Sequence, residues 1–400
     1  MNGSFVLTTI DPNKKRSTRV TCAQHVTPYL RHEVVELGFE IQEEDHVGVH
    51  IGATLGDCMK LILNLRTALH VMWLLKRFRC PSPKDLYKHI ASFPWEELIA
   101  NDSYLTVTSN VDNPKITNSM YPNLVVKDAI VDRISKQTGA RPDSGSDRSA
   151  VVIHLYWKND RAWVYLNTNG LRLANRGYRK LPHTAPMQET LAASVLLAAG
   201  YDGTQTLVNP MCGSGTLAIE AALIAAGRAP GLLRTNYSFM HTLIYNKDEW
   251  QTIRAQARKQ GNSKALPRIV ASDNDALAIE ASIKNARTAG VEQLIDFIQC
   301  DFTQTPMENI DGNSGIVILN PEYGERMGEE SELEPIYKKI GDYFKQNCAG
   351  WRGFVFTGSR ALSKCIGLSA RSRMPFFNGK IECRLLGYEL YAGSQQKPQK

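Results

Sequence analysis

Four hundred residues exceed what one hydrophobic core usually organises, so two or three domains are expected. Hydrophobic residues make up 43% and charged residues 22%, the balance of a folded globular chain rather than a disordered or fibrous one. The formal charge of +7 suits a polyanion partner but does not by itself require one.

The opening "MNGSFVLTTIDPNKKR" lacks the apolar core of a signal peptide, and no later run is long enough to span a bilayer. The expectation is a cytoplasmic protein with no membrane partner. The eight cysteines lie far apart, without the close pairs of a zinc knuckle or redox motif, so free thiols and no metal are expected.

Along the first 80 residues, "LGDCMKLILNLRTALHVMWLLKRF" places Leu61, Leu65, Leu69 and Met72 at helical spacing, which predicts a helix with one core face. A second helix starts at Pro83, "YLTVTS" reads as a strand, and "LVVKDAIVDRISKQTG" as a third helix. "VVIHLYWKNDRAWVYLN" is two period-two runs joined at Asn159-Asp160, a β-hairpin. After "RGYRKLPHTAP" strands alternate with helices: "TQTLVNP" precedes "TLAIEAALIAAG", "RIVAS" precedes "DALAIEASIKNARTAG", and "DFIQC" and "GIVILN" follow. That alternation predicts a parallel sheet whose ligands sit at the carboxyl ends of its strands. The stretch from "APGLL" to "QGNSK" reads as an inserted helical segment, and the tail "SQQKPQK" as disordered.

Polar clusters fall at those strand ends. Gly213 and Gly215 stand between a strand and a helix, where a missing side chain lets a ligand approach the backbone. The third glycine of the dinucleotide fingerprint is absent and the next strand-end acid, Asp273, comes far too late for it, which argues against a nicotinamide enzyme. Asp273 could still grip ribose hydroxyls and Asp301 an adenine amine, though aspartate also caps helices. In "ILNPEYGERMG" the Asn320 side-chain oxygen and the Pro321 carbonyl form a pair of acceptors for a planar amine, with the Tyr323 ring to stack on its base. An exocyclic base amine is a poor nucleophile, because its lone pair is delocalised. Two acceptors that fix it would expose that pair to an electrophilic carbon.

With "NPMCGSGTLAIEAA", "NPEYGER", "RGYRKLPHTAPMQETLAA" and "FNGKIECRLLGYEL", the chain resembles class I S-adenosylmethionine-dependent methyltransferases that modify RNA guanine on N2. Upstream, "ITNSMYPNLVVKDAIVDRI" resembles the THUMP RNA-binding domain; the combination is similar to the bacterial 23S ribosomal RNA guanine-N2 type with a single catalytic domain. The resemblance implies an α+β ferredoxin-like domain at 1–68, a THUMP domain at 69–170 and a Rossmann-like α/β methyltransferase domain at 171–400.

It further implies that Asn209, Met211, Cys212, Gly213, Ser214, Gly215 and Thr216 line the methionine and ribose part of S-adenosylmethionine, with Glu189 and Thr190 nearby. Asp273 and Asn274 would take the ribose, Asp301 and Phe302 the adenine, and Asn320, Pro321 and Tyr323 the target base, Asn320 also bordering the cofactor. Lys127, Arg176 and Arg179 would contact RNA, ribosomal or transfer, and Asp128 shares their polar stretch. Glu322 stands where the family usually has a second proline. A carboxylate there would accept from the N1–H and amine of guanine and repel the N1 acceptor of adenine, or it would pair with Arg326. Two other readings stay open: N6-adenine methylation of DNA or RNA, and a non-catalytic RNA-binding or assembly factor on a relic fold.

Overall fold

The computed structural model describes residues 10–391 except 115, 117, 119, 182–185, 262–265, 308–314 and 325–328. Its strands build two sheets. The first has eight strands: β1 Arg16–Cys22, β2 Glu43–Asp45, β3 Gly48–Ala53, β4 Ala68–Arg79, β5 Tyr104–Asp112, β6 Asp143–Ser144, β7 Val151–Lys158 and β8 Arg161–Asn167. Their order across the sheet is β2-β3-β1-β4-β8-β7-β5-β6. The hairpin expected at Asn159-Asp160 is β7–β8, and Asn159 takes the positive φ of 51° that its turn needs.

Helices α1 Thr27–Glu36, α2 Leu55–Asn64, α3 Pro83–Ala91 and α4 Tyr121–Thr138 come from this part of the chain. Thr54 and Asp57 close a capping box at the start of α2, and Ser82 caps α3 ahead of Pro83.

The long helix expected through Leu69 and Met72 is not formed. α2 stops at Asn64, and both residues lie on β4. The helical spacing was an accident of a short helix followed by a strand rich in Val, Trp and Phe. The buried Glu33 carboxylate fixes the break by accepting from Arg66 N (2.7 Å), Thr67 N (3.0 Å) and the Thr67 hydroxyl. Those amides are thereby taken from any helix. Burial raises the Glu33 pKa, and the hydrogen bonds oppose that rise.

The second sheet follows the order β11-β10-β9-β12-β13-β15-β14, with β9 Leu207–Pro210, β10 Ile269–Asp273, β11 Asp296–Gln299, β12 Ile316–Leu319, β13 Arg352–Thr357, β14 Ser372–Asn378 and β15 Ile381–Glu389. Its first five strands are parallel, and β15 runs antiparallel between β13 and β14. The helices of this part are α5 Glu189–Ala198, α6 Thr216–Ala225, α8 Ala276–Ala289, α9 Glu329–Asn347 and α10 Arg360–Cys365. Val208, Val270, Val317 and Leu319 from the strands pack with Tyr337, Phe344 and Leu362 in a core without exposed members. Truncating Leu319 there to alanine would cost about 2–5 kcal/mol. Strand order reverses between β9 and β12, the switch point at which such sheets leave a crevice at their carboxyl ends.

The chain forms two compact units, 1–22 with 30–175 and 234–259, and 23–29 with 176–233 and 260–400. Among the described residues, the segment read as a helical insertion forms one α-helix, α7 Lys247–Lys259, after single 3-10 turns at Pro230–Leu233 and Ser238–His241, and residues 234–259 belong to the first unit. Ser238 Oγ accepts from Val152 N (2.8 Å), and Tyr237 stacks on Phe239 while Trp250 meets both rings edge to face, each side chain almost fully buried. All eight cysteines are free.

Candidate cofactor and base-binding site

β9 runs out at Pro210 into a turn where Met211, Gly213 and Gly215 take positive φ of 57°, 55° and 81°. The turn is pinned rather than loose. Cys212 N donates to Ser272 O (2.9 Å), Gly213 N to Asp273 Oδ2 (2.9 Å), and Ser282 Oγ to Gly213 O (2.7 Å). The two glycines serve different ends. A Cβ on Gly215 would lie 2.8 Å from Ser282 Oγ, so that residue is glycine for packing; one on Gly213 would meet nothing within 4 Å.

Gly213 therefore borders open space just ahead of α6, whose first-turn amides present positive dipole to it. Ser214 and Thr216 are nearly buried beside it. The Cys212 thiol is buried and pushed up to about 12, so it stays protonated and is no nucleophile.

Asp273 does not cap α8; Asp275 does, accepting from Leu277 N (2.9 Å). Asp273 takes Gly213 N on one oxygen and Asp275 N (3.1 Å) on the other, and its half-exposed carboxylate keeps further lone pairs for a ligand. Asn274 is exposed beside it. At the end of β11, Asp301 Oδ1 caps a single turn by accepting from Thr303 N (2.9 Å) and Oγ1 (2.6 Å). Those bonds hold its carboxyl below the ordinary range; Asp301 is exposed and the next residue, Phe302, is buried. Glu189 and Thr190 open α5 and are nearly buried. Burial raises the Glu189 pKa, while Arg179, 3.4 Å away, lowers it.

Two buried amide oxygens at the switch point, Asn209 Oδ1 and Asn320 Oδ1, have no hydrogen-bond partner among the described residues. Asn209 Nδ2 donates to Ile318 O (2.9 Å), tying the end of β9 to β12. An unsatisfied buried acceptor costs about 1–3 kcal/mol, a penalty that a ligand N–H or O–H would remove. The loop after β12 is held firmly around Asn320. Pro321 is buried, and the Glu322 carbonyl accepts from Tyr337 OH (3.1 Å). Tyr323 OH accepts from Asn378 Nδ2 (2.8 Å), and its ring packs so closely on Gly358 that a Cβ there would sit 3.0 Å from it. The Glu322 side chain is exposed; Arg326, the partner considered for it, lies outside the described residues.

The arginines expected on RNA are engaged elsewhere. Arg176 is 2% exposed and paired at 3.3 Å with Glu220, which is 0% exposed and also accepts from Tyr178 OH (3.2 Å). α6 is buried all round, so its one carboxylate needs an internal cation, and Arg176 is that cation rather than a phosphate ligand. Arg179 donates to Met187 O (2.7 Å) and Thr216 Oγ1 (3.2 Å) besides facing Glu189, joining the starts of α5 and α6. Lys127 is half-buried against Asp128 (2.8 Å).

Three supports were not read from the sequence: Ser282, Asn285 and Asn378. Asn285 accepts from Lys180 N and Leu181 N and donates to Ser214 O and Leu181 O. Ser282 and Asn285, polar and three apart among Ala278, Ala281 and Ala286 on the buried face of α8, were the available signal.

Comparison with known proteins agrees with this architecture. Residues 19–72 match the RlmL ferredoxin-like domain, 81–167 the THUMP domain, and 176–386 the RMKL-like methyltransferase domain. The Ribosomal RNA large subunit methyltransferase K/L of Syntrophotalea carbinolica is 35% identical over 377 residues, covering 92% of this chain and 53% of that protein. The chain thus spans about half the length of the curated relatives it matches. Among solved structures, a predicted N6-adenine-specific DNA methylase from Listeria monocytogenes is 27% identical with a TM-score of 0.82, covering 94% of this chain and 96% of that one. A possible methylase from Clostridium difficile is 26% identical with a TM-score of 0.84, covering 96% and 100%. With more than half its length matched by one family model across the sheet that carries the glycine turn and the Asn-Pro loop, the chain belongs to the RMKL-like methyltransferase domain family.

Proposed function

We propose that this chain transfers a methyl group from S-adenosylmethionine to the exocyclic N2 amine of a guanosine in 23S ribosomal RNA, in the cytoplasm. The observation that carries the reading is the buried Asn320 oxygen, without a partner among the described residues, at the strand end beside the Gly213 turn. When bound, the cofactor supplies an electrophilic methyl carbon. The 209–216 turn, with Glu189 and Thr190, holds its methionine part. Asp273 and Asn274 take its ribose, and Asp301 and Phe302 its adenine. Asn320 Oδ1 and the Pro321 carbonyl each accept one amine N–H, which fixes the nitrogen with its lone pair free, and Tyr323 stacks on the base plane. The base must first leave its own stack, at a cost of a few kcal/mol.

The test is methyl incorporation from labelled cofactor into 23S ribosomal RNA, followed by digestion to nucleosides. N2-methylguanosine is the expected product. Asn320→Ala should lower turnover by roughly 10²–10³-fold, the usual loss of one preorganised polar group, with cofactor affinity nearly intact by calorimetry. Label in N6-methyladenosine would instead establish the second reading, which the name of the Listeria relative favours. No incorporation by a chain that binds the cofactor would leave only a non-catalytic role. In the same assay Glu322→Gln and Glu322→Pro should lower the preference for guanine over adenine, and unchanged preference in both would dispose of Glu322 as a selector.

A further inference from the structure

The register of the eight-stranded sheet lays out a surface on the β7–β8 hairpin and its neighbours that methyl transfer does not use. Side chains directly opposite one another share a face. Arg77 on β4 faces Trp163 on β8, which faces Tyr156 on β7, which faces Asn110 on β5. The next row toward the turn is Arg79, Arg161, Lys158 and Asp112. On the other side lies Leu74, Tyr165, His154 and Thr108. One face therefore carries a cationic row and an aromatic row side by side, about 7 Å apart at the rise of a strand. The intervening residues Ala162, Val164, Leu155 and Trp157 are fully buried on the opposite face.

The rows are accessible. Arg77, Arg79, Lys158, Arg161 and Asn110 are exposed, while Tyr156 and Trp163 are half-exposed with ring centroids 5.5 Å apart. The charge arrangement is costly in the protein alone, because Arg79, Arg161 and Lys158 stand directly opposite one another and like charges in that relation destabilise a sheet. Arg79 is offset by Asp160 (3.0 Å) and Lys158 only distantly by Asp112 (3.9 Å). Arg77 and Arg161 have no ion pair among the described residues. A polyanion would relieve that repulsion, and a polyanion that also carries planar rings would use the neighbouring aromatic row.

We propose that this sheet face binds a single-stranded RNA segment, with phosphates on Arg79, Arg161 and Lys158 and unstacked bases on Trp163 and Tyr156, Arg77 lying alongside. Double-helical RNA keeps its bases in the stack, so it offers this surface phosphates but no ring faces. The inference rests on the reading of RNA as substrate, and it adds where the strand is held.

The experiment uses the full chain and a fluorescein-labelled mixed-sequence eight-nucleotide RNA, single-stranded or annealed to its complement, followed by anisotropy across a salt series. Tyr156→Ala with Trp163→Ala should weaken single-strand binding about tenfold or more and duplex binding little. Arg77→Ala with Arg161→Ala, both at exposed sites where the fold is safe, should weaken binding and flatten the slope of its salt dependence by about 0.7 for each phosphate no longer neutralised. Tyr156→Phe with Trp163→Phe keeps the ring faces and should stay within about threefold of the parent. In methylation assays the alanine variants should raise KM for RNA and leave kcat in place. Unaltered single-strand affinity in both alanine pairs, or a parent chain that binds only duplex, overturns the proposal. Methyl incorporation with unaltered RNA KM in those variants would sink the platform while the methyltransferase reading stands; RNA binding lost in the variants of a parent that methylates nothing would do the reverse.

Discussion

Two glycines two residues apart show how one residue type answers two demands. Gly215 has its missing side chain replaced by Ser282, whereas Gly213 keeps the space clear, and both hold φ values that cost other residues about 1–2 kcal/mol. Gly215→Ala should therefore destabilise the fold by that strain plus a steric term, visible as a lower denaturation midpoint. Gly213→Ala should fold with only the strain cost yet lose cofactor affinity by more than tenfold in calorimetry, because its methyl occupies ligand space. Equal cofactor loss at equal stability in the two variants would contradict this division. Arg176 teaches the complementary lesson. In the sequence it is one cation in a basic linker, and only its burial against Glu220 shows that its charge is already neutralised inside the fold.

Among elements, β4 and the β7–β8 hairpin carry a titration signature. His70 Nδ1 lies 3.2 Å from Asn167 Nδ2 and 3.0 Å from Asn169 Nδ2, amide groups that can only donate, so this nitrogen is unprotonated. Burial pushes His70 down to about 3, with His154, Arg172 and Arg148 adding to it, and pushes His154 down to about 4, with Arg148 and Arg19 adding to it. A histidine whose folded pKa is depressed is neutral in the fold and protonated when unfolded. Its contribution to stability is intact above pH 6.5 and falls with pH through about 4 for His154 and about 3 for His70. Each ring should remove up to roughly 1.4 kcal/mol per pH unit in that window. Denaturation curves at pH 7 and pH 5, taken for the parent and for His70→Asn with His154→Asn, should show the parent losing more; equal losses would refute the assignment.

For the whole molecule, the path of the chain matters more than its order of domains. Residues 234–259 leave the second unit's stretch of sequence to complete the first, where Tyr237, Phe239 and Trp250 are 1%, 0% and 3% exposed. Burying three such side chains is worth about 1.5–3 kcal/mol each, a large share of the 5–15 kcal/mol that holds an ordinary domain. A fragment ending at residue 175 should therefore expose apolar surface and bind a hydrophobic dye, and the same fragment with 234–259 joined through a flexible linker should not. A well-folded, monomeric 1–175 fragment would show that the aromatic cluster contributes little.

The sequence by itself determined the alternation of strands and helices, the Asn159-Asp160 hairpin, the Gly213 turn and the Asn-Pro end of β12. Each of these is local: a period, a turn residue or a strand end written in adjacent positions. It misplaced Leu69 and Met72 because a ten-residue helix and a strand beside it can share a helical spacing, and the arbiter, Glu33, sits more than thirty residues away. The fate of Arg176, the two roles of Gly213 and Gly215, and the alignment of Arg79, Arg161 and Lys158 on one face were decided only in the tertiary structure. They depend on which side chains meet across strands and helices far apart in the chain, and on whether a charge ends in water or in the core.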